Sequence, residues 1–329
     1  MILKSLGSNG PLVSEIGIGT SQIGNVQGYR LNGKELTRKE SLEIIESAIT
    51  DGVALFDTSD GYGAAECLLG ELPREIKDNL TIITKSGLCD DGTRNFSEEY
   101  LRSRLERSMK RLGVEMIDVF QLNKPSAAEL RDGSLFDLLE RWKREGLILQ
   151  AGLIVGEADA GELAIVSGKV DCLQIFYNLI HQDQHFLIEK AAAAGLGVLI
   201  RSPLNSGLLS GAYQSNTKFS ANDRRSLFFV GESFRERLAT LDNILAELCI
   251  THTGLIEFAM RYLLSNKNIT SILPGPSSLL QLHRYTACAS LSRMSLGEMD
   301  RVNAIVNRHM SSISQDFQFL GKVPQTNLE

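Results

Sequence analysis

Short apolar runs alternate with stretches of helical apolar spacing along almost all of this 329-residue chain. The runs are residues 14–20, 54–59, 80–86, 116–123, 147–155, 171–178, 196–203 and 269–275. Helices are predicted between and after them, over 39–50, 65–71, 98–112, 134–145, 159–166, 185–194, about 234–248, and 278–289. The third of these has Ser97 as N-cap and Gly113 as C-terminal stop. Strands alternating with helices imply right-handed crossovers and a parallel sheet. Eight such units with no break in composition predict a closed (β/α)₈ TIM barrel, a single domain over residues 1–329. Three pieces lie outside the eightfold pattern. Residues 1–13 read as a β-hairpin turning at Asn9-Gly10, residues 204–232 as a long loop, and Leu296 onward as an extra C-terminal helix and a polar tail. A loop of that length in a compact domain is often functional.

Composition narrows the function. The net charge is −6 and the pI about 5.6, which gives no basic face for nucleic acid. No run approaches the roughly 18 apolar residues of a membrane span, and the N-terminus lacks the apolar core of a secretory signal. Five scattered cysteines without a C-x-x-C pair suit a reducing cytoplasm. His181 and His185 are four apart, but no third metal ligand is evident, and no metal is expected.

In a barrel of this kind, polar residues at the C-terminal ends of strands are the candidates for chemistry. Asp57, Lys85 and Asn123 each end an apolar run. A lysine directly after an apolar strand is costly unless paired, and Asp57 on the adjacent strand is its natural partner. Tyr62 follows in the loop. An unperturbed phenol titrates near 10, and a nearby ammonium lowers that value. Tyr62 beside Lys85 is thereby suited to give a proton to a carbonyl oxygen, or to take one from an alcohol.

The segment FDTSDGYGAAECLLGE, followed by TKSG, resembles the aldo-keto reductases. The resemblance extends to GIGTSQIG, QIFYNL, RSPLNSGLLSG and ILPGPSSLLQL, and so covers nearly the whole chain. It implies a catalytic tetrad of Asp57, Tyr62, Lys85 and Asn123, with Tyr62 as general acid. It further implies a nicotinamide dinucleotide held by Gly19, Thr20, Ser21, Asp57, Gln174, Arg201, Ser202, Pro203, Leu204, Ser206, Gly207, Leu208, Gly275, Ser277 and Gln281. NADP(H) is expected ahead of NAD(H).

The chain departs from the family pattern at several of these places. Asn123 stands where the family has histidine; its amide can orient a carbonyl but cannot titrate. Gly156-Glu157 replaces the Ser-Asn that holds the nicotinamide amide. At the eighth strand Ser277 and Ser278 stand near the family's basic residue for the 2′-phosphate of NADP, with Arg284 one turn on, and Tyr285 replaces an asparagine. Arg224 and Arg225 are either a clasp over the pyrophosphate or a solvated pair. Substrate contacts are expected from 22–36, 124–133, 204–232 and the tail, where Tyr29, Phe219, Phe228, Phe229, Phe317 and Phe319 are either pocket wall or loop anchors.

The resulting expectation is an oxidoreductase that reduces a small aldehyde or ketone, possibly a sugar, with activity that Asn123 weakens. The alternative is a cofactor-binding regulator with little or no turnover on the same barrel. The sequence leaves substrate identity and oligomeric state open.

Overall fold

The computed structural model describes residues 1–25, 35–89, 91–221 and 223–310. Its centre is a parallel sheet of eight strands in sequential order. These are β1 (Ile18–Gly19), β2 (Leu55–Asp57), β3 (Thr81–Ser86), β4 (Ile117–Asn123), β5 (Ile148–Ile154), β6 (Cys172–Phe176), β7 (Gly197–Arg201) and β8 (Ser271–Leu273). The two edges meet through a parallel bridge between Ile16 and Ile272. Ile272 N donates to Glu15 O at 3.0 Å, and Gly17 N donates to Ile272 O at 2.9 Å. The predicted eight-stranded barrel is therefore present, with β1 much shorter than the apolar run that announced it.

Around the barrel lie α1 (Arg38–Thr50), α2 (Ala65–Gly70), α3 (Glu98–Leu112), α4 (Ser134–Arg144), α5 (Ala158–Ser167), α6 (His185–Ala193), α7 (Gly231–Leu248), α8 (Leu255–Ser265), α9 (Leu279–Ala287) and α10 (Leu296–Met310). Helix α3 begins and ends where its caps demand. The Ser97 side chain accepts from Tyr100 N, and Gly113 takes the left-handed conformation (φ 65°) that stops the helix. Helix α8 was not foreseen. Seven of its eleven residues are buried, and Glu257, Arg261 and Ser265 at four-residue spacing mark its outer face, but no side-chain cap announces its start.

Residues alternate between the two faces of each strand. Inward-facing Leu55, Ile83, Val119, Cys172, Leu199 and Leu273 pack with Leu6 and Val13 into a plug inside the barrel. Outward-facing Phe56, Ile82, Phe120 and Leu122 join the larger core beneath the helices. The N-terminal hairpin pairs Leu3–Ser5 with Leu12–Ser14, but Asn9-Gly10 is not a two-residue turn. Leu6 N donates to Pro11 O across a four-residue loop, and Gly7 supplies the positive φ of 77°. A Cβ on Gly7 would lie 2.9 Å from Asp171 O, so this close approach needs glycine twice over. The hairpin is also tied to the far end of the chain, where Lys4 Nζ donates to Ile269 O at 2.9 Å. Arg293 pairs with the buried Glu15 at 2.8 Å.

After β6 the chain folds back through a bridge between Asn178 and His181. The His181 ring packs on Phe176 with centroids 5.2 Å apart. Burial, with Arg237 adding to it, pushes the His181 imidazole down to about 4. Between pH 6.5 and 4 the unfolded chain takes up a proton there that the folded chain refuses, so stability falls as the pH drops through this window. The contribution approaches roughly 3 kcal/mol at pH 4. We expect His181→Phe to lose less stability between pH 7 and pH 4 in urea unfolding than the parent does. An identical loss in both proteins would contradict it.

Candidate active site

Strand parity delivers the catalytic candidates to one place. Asp57 follows Leu55 on the inner face of β2, and Lys85 follows Ile83 on that of β3. The register sets Asp57 beside Ile83 and Lys85 beside Gln121. Lys85 is 2% exposed and Asp57 6%. Lys85 Nζ donates to both Asp57 carboxylate oxygens and to Thr58 O, each at 2.7 Å. All three ammonium protons are thereby satisfied inside the barrel. Burial holds the lysine below its ordinary range, with Asp57 opposing that shift. The Nζ atom lies 4.9 Å from the Tyr62 ring centroid. Asp57, Lys85 and Tyr62 are thus together, as the sequence implied.

The Tyr62 loop is located by two glycines. A Cβ on Gly24 would lie 1.9 Å from Tyr62 O, and one on Gly63 would lie 2.1 Å from Gly24 O. Only bare backbone fits at this crossing. Loop one is fixed to Asp57, since Thr20 donates from its N–H (2.9 Å) and its hydroxyl (3.1 Å) to Asp57 O. Gly19 N donates to Pro274 O at 2.9 Å, and Ser21 is half-buried in the turn that follows.

Gln174 on β6 braces the aspartate. Its amide donates to Asp57 Oδ1 at 2.8 Å and to Gln121 Oε1 at 3.2 Å. Both amide protons are committed within the protein, which leaves its carbonyl oxygen for a ligand. Asn123 ends β4 half-buried, and no described residue hydrogen-bonds its side chain. The neighbouring Lys124 adopts φ 59°. A Cβ on Gly156 would lie 3.0 Å from Lys124 Cβ, so Lys124 leans into the space that a serine at Gly156 would occupy.

The Arg201 guanidinium lies over the Phe176 ring, 4.9 Å from its centroid. Beyond it, Ser202 (φ 56°), Asn205 (φ 48°), Ser206 (φ 54°) and Gly207 (φ 91°) are left-handed. Pro203, Leu204 and Leu208 are buried anchors of the same turn. Asn205 is 1% exposed, and neither polar atom of its side chain has a partner. Tyr213 OH donates to Ser206 O at 2.7 Å and packs among Phe219, Phe229 and Phe234. Phe219 and Phe229 are therefore loop anchors, and Phe228 packs partly buried on the core. Tyr29, Phe317 and Phe319 lie outside the described residues. Arg225 is no clasp over a phosphate, because it is buried against Asp223 and donates to Tyr213 OH at 3.1 Å.

At β8, exposed Gly275 leads to Ser277, whose N–H (2.8 Å) and hydroxyl (3.1 Å) both donate to Gln281 Oε1. Ser278 Oγ accepts from Gln281 N as the cap of α9. Arg284 is held by Glu257 at 2.6 and 2.9 Å, and Tyr285 is buried. His181 and His185 serve different contacts, the latter reaching Tyr177 OH at 3.1 Å. No metal-binding cluster exists among the described residues.

Sequence reasoning missed the support behind the site. Asp60, buried under the Tyr62 loop, accepts from Ser86 Oγ at 3.1 Å and faces Arg104 and Arg107 of α3. Burial pushes its carboxyl above the ordinary range, and Arg104 pulls it back. Arg111 donates to Asp60 O at 2.9 Å and to Glu66 at 3.2 Å. Arginines at 104, 107 and 111 share one helical face, and that spacing was the available signal.

The profile of the aldo/keto reductase family matches residues 15–307. The chain is 27% identical to an aldo-keto reductase of Strobilurus tenacellus over 85% of each chain. It is 25% identical to the NADH-specific methylglyoxal reductase of Escherichia coli, over 87% of this chain and 93% of that one. Among solved structures, an aldo-keto reductase of Bacillus halodurans in its holo form superposes with a TM-score of 0.77 at 18% identity, covering 97% of this chain and all of that one. This last likeness concerns the fold.

Removing one partner of a buried ion pair leaves the other charge uncompensated. Asp57→Asn should therefore destabilise the fold by about 3–5 kcal/mol. The double variant Asp57→Asn, Lys85→Met should recover much of that loss. Denaturant unfolding of the set measures the coupling, and simple additivity would refute it.

Proposed function

The chain belongs to the aldo/keto reductase family, and from that premise we propose a nicotinamide-dinucleotide-dependent oxidoreductase that reduces the carbonyl of a small aldehyde or ketone, with sugars among the candidates. The observation that carries this reading is the Tyr62 ring set against the Lys85–Asp57 pair inside the barrel mouth. Tyr62 gives a proton to the carbonyl oxygen. The adjacent Lys85 ammonium favours the phenolate that remains. Asp57 and Thr58 hold the ammonium in place, and Gln174 holds Asp57. Asn123 donates its amide N–H to the same carbonyl oxygen and orients it.

The residues present fit a bound dinucleotide. Successive left-handed residues turn their N–H groups toward one point, as anion-binding concavities require. Asn205, Ser206 and Gly207 are three left-handed residues in a row here, with the N–H groups of Asn205 and Gly207 turned back to Ser202 O and Leu204 O and the buried Asn205 side chain unpartnered. On this reading Ser202 to Leu208 hold the pyrophosphate. Gln174 and Arg201 face the nicotinamide, and Gly19 to Ser21, Gly275, Ser277 and Gln281 lie toward the other end. When bound, the dinucleotide supplies the hydride. The expected preference for NADP(H) loses its support, because Arg284 is engaged by Glu257 and Ser277 by Gln281.

A second reading, a dinucleotide-binding module with little turnover, draws on Asn123, which cannot titrate. Five unpaired cysteines fit a reducing cytoplasm, and no described helix is long and apolar enough to cross a membrane.

Tyr62→Phe removes the acid and nothing that holds the dinucleotide. We expect kcat on an aldehyde panel to fall about 10²- to 10⁴-fold, with dinucleotide affinity nearly unchanged. Activity retained in this variant would refute the role of Tyr62. Tight dinucleotide binding by the parent with no turnover on any carbonyl would establish the second reading.

A further inference from the structure

We infer that Asp60 is a positioning residue for the proton transfer, buried beneath the Tyr62 loop and holding that loop against Lys85 by tying it to α3. This inference rests on the reductase reading above.

The loop is pinned to β3 at the very residue whose ammonium the tyrosine meets. Lys85 O accepts from Ser59 Oγ at 3.2 Å and from Asp60 N at 3.4 Å. Tyr62 N in turn donates to Ser59 O at 3.0 Å. Bonds to a single strand act as a hinge, and a second attachment is needed to stop the loop from swinging about it. Asp60 supplies that attachment with both its main chain and its side chain. Its carbonyl oxygen accepts from Arg111 at 2.9 Å and from Arg107 at 3.4 Å. Its carboxylate accepts from Ser86 Oγ at 3.1 Å and from Arg107 at 3.4 Å, and lies 3.7 Å from Arg104. Arg111 is itself steadied by Glu66 at 3.2 Å, which accepts from Thr84 Oγ1 at 2.7 Å.

Neutralising the arginines does not by itself account for Asp60. The Arg107 and Arg111 side chains remain 36% and 29% exposed, whereas that of Asp60 is 4% exposed. A partly solvated cation gains little from an ion pair, but a buried carboxylate needs its partners. The arginines therefore serve the loop rather than the reverse. The loop carries the proton donor, and a displacement of 1 Å in a reacting group costs about 10²-fold in rate. The residues proposed to hold the dinucleotide lie on the β1, β2, β6, β7 and β8 segments and none on α3, so the effect of Asp60 falls on the chemical step.

The test combines steady-state kinetics on an aldehyde panel with calorimetric titration of NADH and NADPH, on the full chain and its variants. Asp60→Ala should lower kcat about 10- to 100-fold, with KM and both dinucleotide affinities within about twofold of the parent. Asp60→Asn keeps the shape and an acceptor oxygen, and should stay within about threefold of the parent in kcat. In the Tyr62→Phe background, Asp60→Ala should change the residual turnover less than about twofold, because no proton donor is left to position. Unchanged kcat in a folded Asp60→Ala protein, or the same fractional loss with and without Tyr62, would overturn the role. So would a fall in kcat accompanied by an equal fall in dinucleotide affinity, which marks general damage to the fold. A loss in Asp60→Asn as large as in Asp60→Ala would assign the effect to charge and overturn positioning. Should Asp60→Ala fail to fold, Arg107→Met at a half-exposed side chain decides: kcat about threefold lower at unchanged affinity supports the role, and unchanged kcat overturns it. A parent that binds a dinucleotide yet turns over no carbonyl would overturn the reductase reading, and this inference with it.

Discussion

A lysine ammonium inside a barrel of aliphatic side chains is the constraint on which this structure turns. Transfer of such an ion from water costs several kcal/mol even after relaxation. Lys85 meets that cost with two oxygens of Asp57 and the carbonyl of Thr58. Each partner is then fixed by something else. Gln174 holds Asp57, Gln121 holds Gln174, and Thr20 ties loop one to the Asp57 backbone. The polar layer across β2, β3, β4 and β6 is therefore one network, and the mouth of the barrel inherits its geometry.

The same requirement explains why the support reaches outside the barrel. The Tyr62 loop carries buried Asp60, and three arginines of α3 surround it. Helix α3 is placed by ordinary means, a serine cap and a left-handed glycine, so a local helix signal ends by locating a distant tyrosine. On the opposite side, an aromatic cluster around Tyr213 fastens Ser206 within its left-handed turn. The site is held by packing on one flank and by charge on the other.

Much of this was legible because it is periodic. The strands announced themselves as apolar runs, and Asp57, Lys85 and Asn123 stood out as polar ends to such runs. What failed to read did so for identifiable reasons. The Asn9-Gly10 pair signals a tight turn, but Gly7 takes the positive φ and Pro11 closes the loop. Helix α8 starts at Gly254 with no side-chain cap to announce it. Arg284 looked available for phosphate because Glu257, 27 residues earlier, is brought to it only by the packing of α8 against α9. Pairings across such distances have no local sequence signature.

The seam of the barrel has a consequence for how the protein is made. Lys4, Glu15 and Ile16 find their partners at Ile269, Arg293 and Ile272. A ribosome extends a chain at about 5–20 residues per second. Lys4, Glu15 and Ile16 must therefore wait for these partners until the segment that carries β8 and Arg293 has been synthesised. During that interval the edges of the incomplete sheet stand open, and an edge of unpaired N–H and C=O groups is a template for aggregation. Closure thus comes late by construction, and the nascent chain is most exposed to wrong partners in the moments before its last strand arrives.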